Sequence, residues 1–187
     1  DENPTVAASP LGLLWFARDV LVEAKDRVEV LRRAAAAYRP LLARLTLVPG
    51  PADDPWTRER RALAVWALLG AEDSETTASL ARLGRAYLGT DGDGKIHAAA
   101  VASDLAAPAV LAALRAGGTA ALDDAVARLA TETDSMVRRY LLGAIDASNT
   151  RALVWGLESG FRIIGTRQAT SGVLYVEVIR DGETAGR

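Results

Sequence analysis

The sequence has no cysteine and a single histidine in 187 residues. Without cysteine there is no disulfide, no thiolate metal site and no cysteine nucleophile, which fits a cytoplasmic protein. With only His97, in KIHAAAV, the chain cannot build the H-E-x-x-H helix face of a zinc peptidase. His97 is expected as a polar residue at a helix start. The phosphate-cradling patterns GxxxxGK[ST] and GxGxxG are absent, as is the G-x-S-x-G nucleophile turn. Aromatic residues make up only 5%, and β-branched residues are scattered until the last segment. The apolar run near the start, Leu11 to Ala17, is too short to span a bilayer. Asp1 and Glu2 are acidic where a secretory leader is basic. The formal charge of −2 gives no general attraction to nucleic acid or an anionic surface. Neither nucleic acid nor membrane is therefore an expected partner.

Alanine and leucine dominate what is present. Half the residues are apolar and a quarter charged, the balance of a folded helical protein. The organising stretch runs from Thr119 to Leu157. At helical spacing it gives three apolar stripes: Leu122, Val126 and Leu129; Val137, Tyr140, Leu141, Ala144 and Ile145; and Leu153, Val154 and Leu157. Each follows a capping residue, namely Thr119, Asp134, and Asn149 or Thr150. Helices this short bury their apolar faces only against neighbours. The expected fold is all-α, an α-α superhelix of HEAT-like antiparallel helix pairs. Residues 1–9 are read as a lead-in and 10–187 as one helical repeat domain. A chain that begins without Met and stops at TAGR is read as a piece of something longer, or as a processed product.

Along the chain, Ser9-Pro10 opens a first helix with Leu13, Leu14, Phe16 and Ala17 inward. A second runs to about Leu45 with Val28, Leu31, Ala35 and Tyr38 on one side, kinked or broken at Pro40. The stretch LTLVPGPADDP is a connecting loop. Asp54-Pro55 starts a helix with Leu63, Trp66, Ala67 and Leu69 in the core and Gly70 as its stop. Asp73 or Ser74 caps another, with Leu80, Leu83 and Tyr87 inward until Gly89. After the loop TDGDGK, a helix from Ile96 to Ala106 pairs with one from Pro108 to Ala116, and Gly117-Gly118 turns the chain. The last segment, GVLYVEVIRDG, is rich in β-formers. Its helical spacing, with no evident strand partner, favours helix over 171–181.

The charged groups are sparse as chemistry. Asp91-Gly-Asp93-Gly resembles the start of a calcium loop, but Lys95, Ile96 and Ala102 occupy the positions that need oxygen, glycine and glutamate. A surface turn is expected there. Asp53-Asp54 and Asp123-Asp124 lack the third acid of a DDxxD cluster, since Thr57 and Ala127 sit in its place. They are read as acids drawn to helix N-termini. Arg32, Arg33, Arg58, Arg60, Arg61, Arg138 and Arg139 form small basic patches, read as solvated helix faces.

Certain stretches carry a family likeness. Leu41-Leu42 and Leu45, the loop Pro51 to Asp54, Arg61-Ala62-Leu63 and Tyr87-Leu88 resemble the C-terminal helical domain of aminopeptidase N-type zinc metallopeptidases. So do Thr133, Asp134, Arg138, Leu141, Leu142, Ala144 and Ile145, and the closing run RQATSGVLYVEVIRDGETAGR, where that family has a helix before a GR-containing turn. The likeness covers roughly Tyr38 to Arg187. It implies a bowl of HEAT-like helix pairs over a peptide chamber. The zinc ligands, general base and peptide-amine motif would then lie in a separate, earlier catalytic domain. By this resemblance the chain has no catalytic residue and no cofactor of its own. Its partners are the catalytic domain of the same polypeptide and peptide substrates, with Arg138 and Arg139 as candidates for the chamber lining. The competing reading is an independent HEAT-like scaffold that binds another protein.

Overall fold

Helix follows helix from Arg27 to Glu158, as the composition predicts. The computed structural model describes residues 13, 15–16, 21–158, 161–168 and 174–180, with side chains, apart from Ala24, as far as Ser148. A 3-10 turn at Ala24–Asp26 leads into α1 (Arg27–Leu45), α2 (Pro55–Gly70) and α3 (Ser74–Leu88). A second 3-10 turn, Ala98–Ala100, precedes α4 (Ser103–Thr131) and α5 (Ser135–Glu158). Strands β1 (Phe161–Gln168) and β2 (Leu174–Arg180) close the described chain. Two compact units emerge, Asp1–Ala144 and Ile145–Arg187. The helix expected over 10–17 lies largely outside the described residues.

In the first unit the core gathers around the first arm of α4, residues 103–117. Leu105, Ala106, Pro108, Ala109, Val110, Leu111, Ala112, Ala113 and Leu114 are all buried, so this arm is apolar all round, as a central helix must be. It packs against α3 and α2, and α2 packs against α1. Gly84 sets the approach of α3 to α4, because a Cβ there would fall 2.0 Å from the Ala109 carbonyl oxygen. Backbone meets backbone at this point. Tyr87 of α3 and Tyr140 of α5 add an edge-to-face contact, with ring centroids 6.3 Å apart.

Several expected boundaries hold. The Asp54 carboxylate accepts the Thr57 amide at 2.6 Å and Pro55 takes the first helical position. Asp73 accepts the Thr76 amide at 3.0 Å. Gly89, at φ 61°, ends α3, where the Thr90 amide returns to the Arg85 carbonyl. Asp134 caps α5 through the amides of Met136 and Val137, at 2.8 and 3.1 Å. Gly118, at φ 63° and ψ −149°, breaks α4 at the expected glycine pair.

Other boundaries move. α1 passes Pro40 without a break. Pro40 and Ala36, whose carbonyl loses its amide partner, are both exposed, so water can serve the carbonyl instead. The buried stripe of α1 is Ala34, Ala35, Tyr38 and Leu42, while Val28 is 70% exposed. Gly70 does not stop α2 by a left-handed turn. Its missing side chain makes room for the Trp15 indole, whose Cζ2 would lie 2.7 Å from a Cβ there. Trp66, expected inside, is 41% exposed. Residues 96–102 form no α-helix; α4 begins at Ser103 and continues through Pro108. A proline this near the helix start loses one hydrogen bond, and burial of the continuous apolar run outweighs it. No break occurs at Asn149-Thr150, so the second and third expected helices are one, Ser135–Glu158. With neither glycine nor proline there, the capping-type residues alone do not interrupt the ladder.

The final segment is strand, not helix. β2 pairs antiparallel with β1 from Phe161↔Arg180 to Gln168↔Leu174, with an irregularity between Ile163 and Gly165. FRIIGTRQ supplies the partner that the segment lacks when weighed alone. The helical class thus holds for every described element up to Glu158, and the hairpin is the departure from it. The closing run loses its place in the family likeness, which rested on a helix at that point.

Candidate functional site

Arg61 is the most deeply placed charged group among the described residues. Its side chain is fully buried, which corrects its reading as part of a solvated basic face. The signal was in the spacing: Arg61, Ala64, Val65 and Leu68 fall at i, i+3, i+4 and i+7, the inward stripe of α2. The guanidinium Nε donates to the Thr46 carbonyl at 2.9 Å, and Nη2 donates to the Leu45 carbonyl at 3.2 Å and to the Asp53 carboxylate. Nη1 lies 3.9 Å from Asp104 Oδ2 near the start of α4. One side chain therefore closes the C-terminus of α1, pins the loop to α2 and reaches α4. The Arg61 hydrogen bond, joined by the Gly50 amide and opposed by burial, holds the Asp53 carboxyl below the usual range. Thr46, whose carbonyl takes part, is held at φ 57° and ψ 161°, a region that strains a β-branched residue.

Asp73, which is buried, follows the same logic. Burial pushes Asp73 up, but the Thr76 amide and hydroxyl and the Arg39 guanidinium together hold its carboxyl below the usual range. Asp73 and Arg39 border a cavity of about 380 Å³ floored by Leu42 and Leu68.

A second opening is a groove of about 360 Å³ where α4 bends. Leu88, Ala113, Leu114, Ala121 and Ala125 give it an apolar floor, and Arg85, Asp124 and Arg128 stand on its rim. Arg85 is paired with Asp91 at 2.9 Å, and Arg128 with Asp124 at 2.7 Å. Apolar floor and polar rim suit the side chain of a bound polypeptide.

The residues singled out from the sequence fall apart spatially. Arg138 Nη1 donates to the carbonyls of Leu129 and Glu132, at 2.8 and 2.9 Å, and so finishes the end of α4. Arg139 is exposed. Neighbouring helical positions diverge by about 100°, so these two guanidiniums do not converge. The DGDG segment is a turn: the Gly92 and Gly94 amides bond the Gly89 carbonyl, and Asp93 accepts the Lys95 amide and faces His97 Nε2 at 2.8 Å. The Lys95 amide and His97 together hold the Asp93 carboxyl low. His97 precedes the 3-10 turn rather than an α-helix. Asp54 is spent on a cap and Asp53 on Arg61. Among the described residues no three His, Cys, Asp or Glu side chains gather as a metal site.

No family model, curated protein or solved structure matches the chain.

Proposed function

We propose that this chain is a non-catalytic helical domain of the aminopeptidase N type, one wall of a chamber enclosing peptide substrate. Zinc and general base would come from an earlier catalytic domain of the same polypeptide. The observation that carries the reading is the knot around Arg61. Leu45, Asp53 and Arg61, three residues of the family likeness, meet in one hydrogen-bonded cluster around the buried Arg61 side chain, so the likeness rests on residues that build the fold. Packing of α1 on α2 and of α3 on α4 suits an α-α superhelix of HEAT-like pairs. The absence of cysteine suits a cytoplasmic setting. On this reading the purified chain cleaves no aminoacyl amide and retains no stoichiometric zinc, and its reading frame carries an upstream H-E-x-x-H with a downstream glutamate. Hydrolysis or tight zinc in the purified chain overturns it.

A second reading, an independent helical scaffold, has its own support in α2. Trp56 and Trp66 are 56% and 41% exposed, and aromatic groups on a rigid helix are common anchors for protein partners. A reading frame without any peptidase motif favours this alternative.

A further inference from the structure

We propose that residues 119–131, the second arm of α4, are a strap that opens locally over the groove beneath it, hinged at Gly118 and latched by Arg128. Gly118 interrupts the helical ladder with φ 63° and ψ −149°, so the two arms are joined by one flexible residue rather than a continuous rod. A Cβ at Gly118 meets nothing within 4 Å; no neighbour wedges the joint.

The strap holds on weakly through apolar contact. Ala125 is its only buried residue, and Leu122, Val126 and Leu129 are half-buried, whereas the first arm is buried along nearly its whole length. Its grip is polar and concentrated. Arg128 Nη1 donates to the Leu88 carbonyl, at the end of α3, and at 3.1 Å to the Gly94 carbonyl in the following loop. The same guanidinium is fixed in direction by Asp124. Segments with few apolar contacts open at lower free energy than the core they cover. Removing this side chain releases two carbonyls and leaves the Arg138 bond to the Leu129 carbonyl, at the far end of the strap, as its other polar tie.

The chain lacks cysteine, so an introduced thiol reports alone. Ala125→Cys places it under the strap, and Ala64→Cys places one in the core of α2, away from the groove. The rate of modification by a small thiol reagent reads opening at each position. The Ala125→Cys thiol is expected to react faster than the Ala64→Cys thiol. Arg128→Ala is expected to speed it by roughly tenfold or more, the scale of a lost charge-assisted bond, and leave the Ala64→Cys thiol unchanged. Arg128→Lys keeps the charge without the fork and serves if Arg128→Ala does not fold. Amide exchange in the full chain supplies a readout without introduced thiols, with 119–131 exchanging ahead of α3. Equal reactivity at the two thiols, or equal acceleration of both by the Arg128 variants, overturns the proposal, as does exchange of 119–131 no faster than α3.

Discussion

Arg61 illustrates how a charge read as solvated can prove to be buried. Its inward position was available from the i, i+3, i+4, i+7 stripe it shares with Ala64, Val65 and Leu68. Its partners were not, because the Leu45 and Thr46 carbonyls are 15 or more residues away in sequence, at the end of another helix and just past it. Arg61→Met takes the charged donor from Asp53, which keeps only the Gly50 amide, and takes the side-chain donor from two carbonyls. The expected loss is about 3–5 kcal/mol in denaturant unfolding, with Arg61→Lys also destabilised because an ammonium cannot reproduce the fork. Thr46 offers a change of opposite sign. At φ 57° and ψ 161° glycine is relaxed where threonine is strained, so Thr46→Gly is expected to raise stability by about 1 kcal/mol. The threonine hydroxyl bond to the Val48 carbonyl works against the gain, and a measured loss would mean that this bond outweighs the strain.

Whole elements were legible where their signals are local. Asp54-Pro55, Asp73, Gly89 and Asp134 are punctuation that a few neighbouring residues determine, and each stands where expected. Asp134→Ala should cost roughly 1 kcal/mol, measured by thermal unfolding. Signals failed where a distant partner decides. Pro40 and Pro108 read as breaks because the tertiary context decides them: water reaches the Ala36 carbonyl beside the exposed Pro40, and burial of the apolar run carries α4 through Pro108. Leu174–Arg180 fits a helix on its own spacing, and pairing with Phe161–Gln168 is what makes it a strand. Gly84, in ARLGRAYL, is a lone glycine inside a helical pattern, which points to close packing. Gly84→Ala forces α3 and α4 apart against the Ala109 carbonyl. A loss of about 1–3 kcal/mol or more is expected in equilibrium unfolding.

At the scale of the molecule the helical class followed from composition alone, while the division at Ala144 and Ile145 had no counterpart in it. The candidate site is less legible than the fold: Arg138 proves to finish a helix, Asp124 stands out in the sequence only as half of an acid pair, and nothing local marks Arg85 or Arg128. Acid stability collects several local effects into one measurable curve. Asp53 and Asp73 are both held below the usual carboxylate range when folded, so the unfolded chain takes up protons first as pH falls. Their contribution is complete above an ordinary carboxylate pKa of about 4 and is lost as pH drops through the lower folded values. The thermal midpoint should be level near neutrality and fall below about pH 4. Asp53→Asn and Asp73→Asn should each flatten that fall, and an unchanged curve would remove these two groups as its source.

Arg61 also sets an order of events during synthesis. It leaves the ribosome about forty residues before Asp104 and the rest of α4, which seals it from water. Until then α1 and α2 have a hydrated cation where their shared interior will be, so the first helix pair stays provisional until the fourth helix arrives.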